Sequence, residues 1–109
     1  MLEAKGLEAL YLDYAERDSV AACADEVAKR CGGKLDALFN NGAYGQPGAV
    51  EDLTREVLEA QFAANVFGWL QLTNLCLPLM RANGGGRIAH CSSVLGLVAM
   101  KWRGAYNAS

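Results

Sequence analysis

Residues 35–48, LDALFNNGAYGQPG, run a short apolar segment straight into a loop of Asn, Gly and Pro. Leu35 to Asn40 is apolar almost throughout, which is the pattern of a strand covered on both faces. Past the loop, Thr54 opens a long apolar-rich helix that reaches about Ala82. A strand that leads through a Gly-rich loop into a long helix is the first half of a βαβ crossover.

Working outward, the same pattern repeats on both sides. Pro78 falls inside the long helix, and proline in a helix interior is expected to kink or locally break the last turns. Asn83 and the three glycines after it end the helix, and RIAHCS (87–92) reads as the next strand. Upstream, Val20, Cys23, Ala24, Val27, Ala28 and Cys31 recur at three- and four-residue steps, which predicts a helix from Asp18. Asp18 or Ser19 can cap its start, and Gly32-Gly33 provides the stop. Before it, LEALYLD (7–13) reads as a short strand. The order strand, helix, strand, helix, strand predicts an α/β chain. Its expected form is part of a doubly wound parallel sheet with three strands and two main helices. Residues 1–109 show no repeat or linker, so they are expected to belong to one domain.

Composition narrows the function classes. Hydrophobic residues make up 52% and charged residues 20%, the balance of a folded chain rather than a disordered one. The net charge is −2 with scattered basic residues, which argues against a nucleic-acid partner. No apolar run reaches the ~18 residues a membrane span needs, so no membrane partner is expected. The four cysteines lack CxxC spacing and only His90 could join them, so no metal site is expected. With no export signal at the start, the cysteines read as buried thiols of a cytoplasmic protein.

Ligands of doubly wound sheets bind beyond the carboxyl ends of the strands, and the unusual residues fall there. Asp13 ends the first expected strand, Asn40, Asn41 and Gly42 end the second, and Ser92 and Ser93 end the third. Each also has an ordinary explanation: Asp13 as a solvated turn residue, Asn-Asn-Gly as a plain turn. Asn65 lies in EAQFAANVFGWLQL, an apolar helix interior where Asn is a poor helix former. It is either a structural amide tying the helix to a neighbour or a functional one, and in both cases it needs partners.

Together these segments resemble the short-chain dehydrogenase/reductase family. NNGAYG stands where the family has Asn-Asn-Ala-Gly after the fourth strand of its Rossmann fold. ANVFG resembles its mid-helix Asn segment, GRIAHCSSVLG its strand-plus-serine segment, and GAYNAS the start of its Tyr-x-x-x-Lys motif. Ser93 lies 13 residues before Tyr106, the family's usual spacing. The resemblance implies a Rossmann-like sheet and an NAD- or NADP-dependent oxidoreductase that moves a hydride between nicotinamide and a secondary alcohol or ketone. It implies Tyr106 as general acid/base, Ser93 as the hydrogen bond to the substrate oxygen, and Asn65 as the holder of a proton-relay water. Free tyrosine side chains ionise near pH ~10, and the family lowers this with a Lys ammonium and the nicotinamide charge. Asp13 would contact the adenine ring, while Asn40, Asn41 and Gly42 would line the cofactor groove.

The exchange of the last two residues, Asn-Asn-Gly-Ala here, keeps both small. The family's Lys would fall one position past Ser109, and its glycine-rich phosphate loop would precede LYLD. The chain is therefore expected to be an internal piece of a dehydrogenase, inactive alone, with 7–13 unpaired to 35–40. A catalytically dead member serving as a binding or scaffold protein is the alternative. VLGLVAMKW, with Trp102 near its end, fits a hydrophobic alcohol or ketone substrate, and equally a loop packed on its own core. Phe62, Val66, Phe67, Trp69, Leu70 and Leu77 give the long helix more apolar surface than one sheet face covers. In the family that helix packs on a second subunit, which implies a homodimer or homotetramer when intact.

Overall fold

The computed structural model describes residues 6–109. Helix α1 (Arg17–Arg30) comes first, then strand β1 (Ala37–Asn40), helix α2 (Arg55–Phe62), helix α3 (Gly68–Ala82), strand β2 (Arg87–His90) and helix α4 (Gly104–Ala108). The two strands pair in parallel, with Ala37 opposite Arg87 and Asn40 opposite His90. The chain is α/β, as its pattern implies, with two strands among the described residues where three were expected.

The missing one is the segment 7–13. It forms no ladder with either strand, as was expected of 7–13 against 35–40, because a strand is defined by a neighbour to bond and no described strand pairs with it. Its end is held by a turn instead. Asp13 Oδ1 accepts from the Ala15 N–H at 2.9 Å, and the Asp13 N–H donates to Ser19 Oγ at 2.8 Å. That second bond corrects the expected cap of α1: the helix starts after Glu16 with no side-chain cap, and Ser19 serves the preceding turn. Its end follows the expectation. Gly32 and Gly33 have φ of 61° and 78°, and their N–H groups return to Lys29 and Ala28, a Schellman stop that a Cβ would oppose.

Thr54 caps the long helix, accepting the Val57 N–H at 3.4 Å. The helix then changes character before it reaches Pro78. Residues Ala63–Phe67 form a π turn between α2 and α3, and Asn65 sits buried inside it. From Gly68 the α geometry resumes and runs past Pro78 to Ala82.

The core lies between the two long helices and one face of the sheet. Val20 and Ala24 of α1 meet Leu72 and Cys76 of α3, with Leu12, Tyr14, Leu35 and Leu38 packed around them. The strands are not covered on both sides. Asn40 faces inward, while Phe39 on the opposite face is 62% exposed. Helix α3 crosses the chain closely at Gly68, where an added Cβ would stand 2.2 Å from the Tyr14 carbonyl oxygen. In an isolated helix Gly→Ala gains about 1 kcal/mol. Here a backbone atom occupies the space, so Gly68→Ala is expected to destabilise the whole protein by about 2 kcal/mol. Urea unfolding measures this, and a stabilised variant would show that the crossing is looser than described.

Candidate active site

Two buried amides one turn apart on the same helix organise the site. Gln61 in the last turn of α2 is fully buried, and Asn65 nearly so. Side chains at i and i+4 share a face, and both reach the loop that leaves β1. Asn65 accepts the Tyr44 N–H at 3.1 Å and donates to the Tyr44 carbonyl at 2.9 Å. Gln61 accepts the Gln46 N–H at 2.8 Å and donates to the same Tyr44 carbonyl at 2.7 Å. Each amide also donates to the Ser109 hydroxyl at 3.0 Å, which ties the end of α4 to the same wall. Every donor and acceptor of the pair is matched, the condition for burying amides.

A second network closes the ends of the strands. The Asn40 amide donates to Thr73 Oγ1 at 3.0 Å and faces His90 Nδ1 at 3.2 Å. An amide N–H needs an acceptor, so Nδ1 carries the lone pair. The Tyr14 hydroxyl reaches Asn40 Oδ1 at 3.5 Å. Burial, with the Cys23 and Cys76 thiols behind it, holds the Tyr14 phenol above its usual value, so it stays a donor. Trp69 stacks on His90 with ring centroids 5.6 Å apart, and its indole N–H donates to the Gly42 carbonyl at 2.7 Å.

The third piece is the loop between β2 and α4. Ser93 caps a short 3₁₀ turn (Val94–Gly96), its Oγ accepting the Leu95 N–H at 3.1 Å. Asn107 donates from Nδ2 to the Leu95 carbonyl, and to the Val98 carbonyl at 3.0 Å. At the far end of the loop the Gly48 N–H donates to the Trp102 carbonyl at 3.0 Å. Trp102 takes a φ of 63°, a left-handed conformation that bulky residues rarely adopt.

Between these pieces lies a cleft of about 470 Å³, lined among others by Asn65, Trp69, His90, Ser93 and Tyr106. It brings together the three residues expected to be catalytic. Asp13, Asn40, Asn41 and Gly42 do not line it. Asn40 turns its amide into the core, Asn41 and Gly42 lie exposed on the β1 loop, and Asp13 holds its own turn. Sequence reasoning passed over Gln61 and Asn107. For Gln61 the available signal was its four-residue spacing from Asn65, which puts two amides on one face. Gln is an ordinary helix former, so nothing marked it alone. Among the described residues no group of three His, Cys, Asp or Glu could hold a metal, and no helix is long and apolar enough to cross a membrane.

A family model described as short chain dehydrogenase matches residues 2–109. The chain belongs to the short-chain dehydrogenase family. It is 40% identical over 108 residues to an uncharacterized oxidoreductase, YbbO, of Escherichia coli K12, covering 99% of this chain and 40% of that protein. It is 35% identical over 98 residues to retinol dehydrogenase 8 of Bos taurus, covering 90% and 30%. It is 32% identical over 100 residues to a 3-ketodihydrosphingosine reductase of Bacteroides thetaiotaomicron, covering 92% and 37%. Its fold is similar to the crystal structure of a short-chain dehydrogenase from Streptomyces avermitilis, with a TM-score of 0.87 and 34% identity. That likeness covers 98% of this chain and 40% of the other. The chain thus spans about two fifths or less of these relatives.

In this short-chain dehydrogenase chain the cysteines differ sharply. Cys91 is exposed on the cleft wall, whereas Cys76 is buried in the core. Burial raises the Cys76 thiol above its usual value, with Cys23 and Cys31 adding to it, and burial alone raises Cys23. A raised thiol carries less of the reactive thiolate at a given pH. Iodoacetamide at pH 8 should therefore modify Cys91 first and leave Cys76 until unfolding, as read by peptide mass mapping. Early modification of Cys76 would contradict the packing of α1 on α3.

Proposed function

We propose that the protein carrying this chain is an NAD- or NADP-dependent oxidoreductase that interconverts secondary alcohols and ketones. On this reading the chain is part of a single NAD(P)-binding domain. The observation that supports it is the meeting of Asn65, Ser93 and Tyr106 around one cleft. The β1 loop fits the cofactor in kind. Asn41, Gly42 and Ala43 are small or polar, exposed, and stand past the carboxyl end of a parallel strand, where dinucleotides lie. When bound, the nicotinamide supplies or takes the hydride.

The chain's own residues handle the oxygen. Tyr106 gives its phenolic proton to a ketone oxygen, or takes one from an alcohol. Ser93 accepts the Leu95 N–H, which leaves its own O–H free to donate to the same oxygen and stabilise charge there. Both Asn65 Nδ2 hydrogens are taken by Tyr44 and Ser109, and Oδ1 accepts the Tyr44 N–H, so Asn65 would hold a relay water through the second lone pair of that oxygen. Asp13, Asn40, Asn41 and Gly42 belong to the cofactor side of the proposal, with Asn40 at the strand end from which the loop leaves.

The loop after Ser93 points to an apolar substrate. Leu97 is 90% exposed, and Val98, Met100 and Trp102 are exposed as well, so these side chains do not pack on the loop's own core. The names of two relatives, for retinol and 3-ketodihydrosphingosine, fit an alcohol or ketone on a long apolar frame. Phe67 and Leu70 on the outer face of the long helix are exposed too, which supports a dimer or tetramer built on that face. A cytoplasmic location fits the free cysteines.

The test is turnover by the whole protein across secondary alcohols and ketones of increasing chain length, followed by reduced-nicotinamide absorbance. Tyr106→Phe should lower kcat/KM by about 10²–10⁴-fold, and Ser93→Ala by about 10²–10³-fold. The KM for the nucleotide should stay unchanged in both. Wild-type turnover by Tyr106→Phe would reject the mechanism.

A further inference from the structure

We propose that Asn107 is a positioning residue that fixes the separation of Ser93 and Tyr106, the pair on which the functional reading above rests. The two side chains come from different pieces of chain. Ser93 follows β2, and Tyr106 sits in α4, with a ten-residue-scale apolar loop between them. Such a loop, mostly exposed, has little burial of its own to hold it.

Asn107 supplies the missing tie. Its Nδ2 donates to the Leu95 and Val98 carbonyls, and the Leu95 N–H donates to Ser93 Oγ. The path from Tyr106 to Ser93 is then one peptide bond, one amide side chain and one residue of a 3₁₀ turn. Carbonyl oxygens only accept, so an NH₂ group is what this position requires, and its two hydrogens match the two carbonyls. The backbone of Asn107 is itself fixed, its N–H donating to the Arg103 carbonyl at 2.7 Å. At the other end the loop is pinned by the Gly48 N–H on the Trp102 carbonyl. Released at Asn107, the stretch from Ser93 to Lys101 keeps its ends but loses its middle hold.

Asn107→Asp is nearly isosteric and sets a carboxylate against two carbonyl oxygens. Asn107→Ala removes the donors without the repulsion and guards against a variant that fails to fold. Two readouts are taken on the whole protein. The first is the rate of tryptic nicking after Lys101, which is exposed in the loop. The second is steady-state kinetics with the best alcohol or ketone. Nicking should rise several-fold in both variants. kcat/KM for the carbonyl or alcohol should fall about 10–100-fold, as misplacement by an ångström or less can do. The KM for NAD(P) should move less than about twofold, because Asn107 makes no hydrogen bond to the β1 loop assigned to the nucleotide.

Wild-type nicking with wild-type kinetics overturns the proposal. So does faster nicking with unchanged kinetics, since the tie would then set nothing in the cleft. Slower kinetics at the wild-type nicking rate overturns it as well. If Tyr106→Phe, run alongside, keeps wild-type turnover, the functional reading fails instead, and the tie is judged on the nicking rate alone.

Discussion

The site depends on the backbone of one residue, Tyr44, whose N–H and carbonyl are both held by buried amides. Its carbonyl accepts from Gln61 and Asn65, and its N–H donates to Asn65. Tyr44 lies in an exposed loop, where a peptide would ordinarily satisfy itself with water. Here the loop is welded to the helix instead. Because the same amides reach Ser109, the loop after β1 and the helix bearing Tyr106 are referred to one common frame. Leaving such buried donors unmatched would cost about 1–3 kcal/mol each, which is why the pair stands or falls together.

The π turn lies at the same place in the helix, with Asn65 buried inside it. An uninterrupted α-helix from Arg55 to Ala82 would rotate the residues after Gln61 by a different amount. Gln61 and Asn65 share a face by their four-residue spacing, and the extra residue in the turn resets the phase of the helix beyond it, where Leu72 and Cys76 face α1. Gly68 directly after the turn permits the close crossing over Tyr14. Tyr14 in turn touches Asn40 and Trp69, so the crossing sets the ends of both strands. Packing, loop and cleft are consequences of one helix face.

Much of this was legible in the letters. Apolar periodicity placed α1, the Gly-Gly stop and the Thr54 cap, and the Asn in an apolar helix marked Asn65 as a residue in need of partners. Ser93 and Tyr106 stood out only through the resemblance to the family, whose spacing they match, and both reach the same cleft. Residues 7–13 read as a strand because strand propensity is local; that they would not pair with 35–40 was expected from the family strand order, and no ladder forms there. The exposed face of Phe39 escaped because an apolar run does not say what covers it. Gln61 and Asn107 escaped because both are common polar residues, and only the fold shows two carbonyls or two peptides converging on them. Ser19 was misread for want of the turn at Asp13, whose N–H it accepts.

The grip on the loop can be read directly by amide hydrogen exchange in the whole protein. The Tyr44 and Gln46 N–H groups donate to Asn65 and Gln61. They are therefore expected to exchange as slowly as the amides of α3, although their residues lie in a loop. Replacing Gln61 by Leu should release Gln46 fully and Tyr44 in part. Exchange of both amides at the rate of a free loop in the unaltered protein would contradict the account.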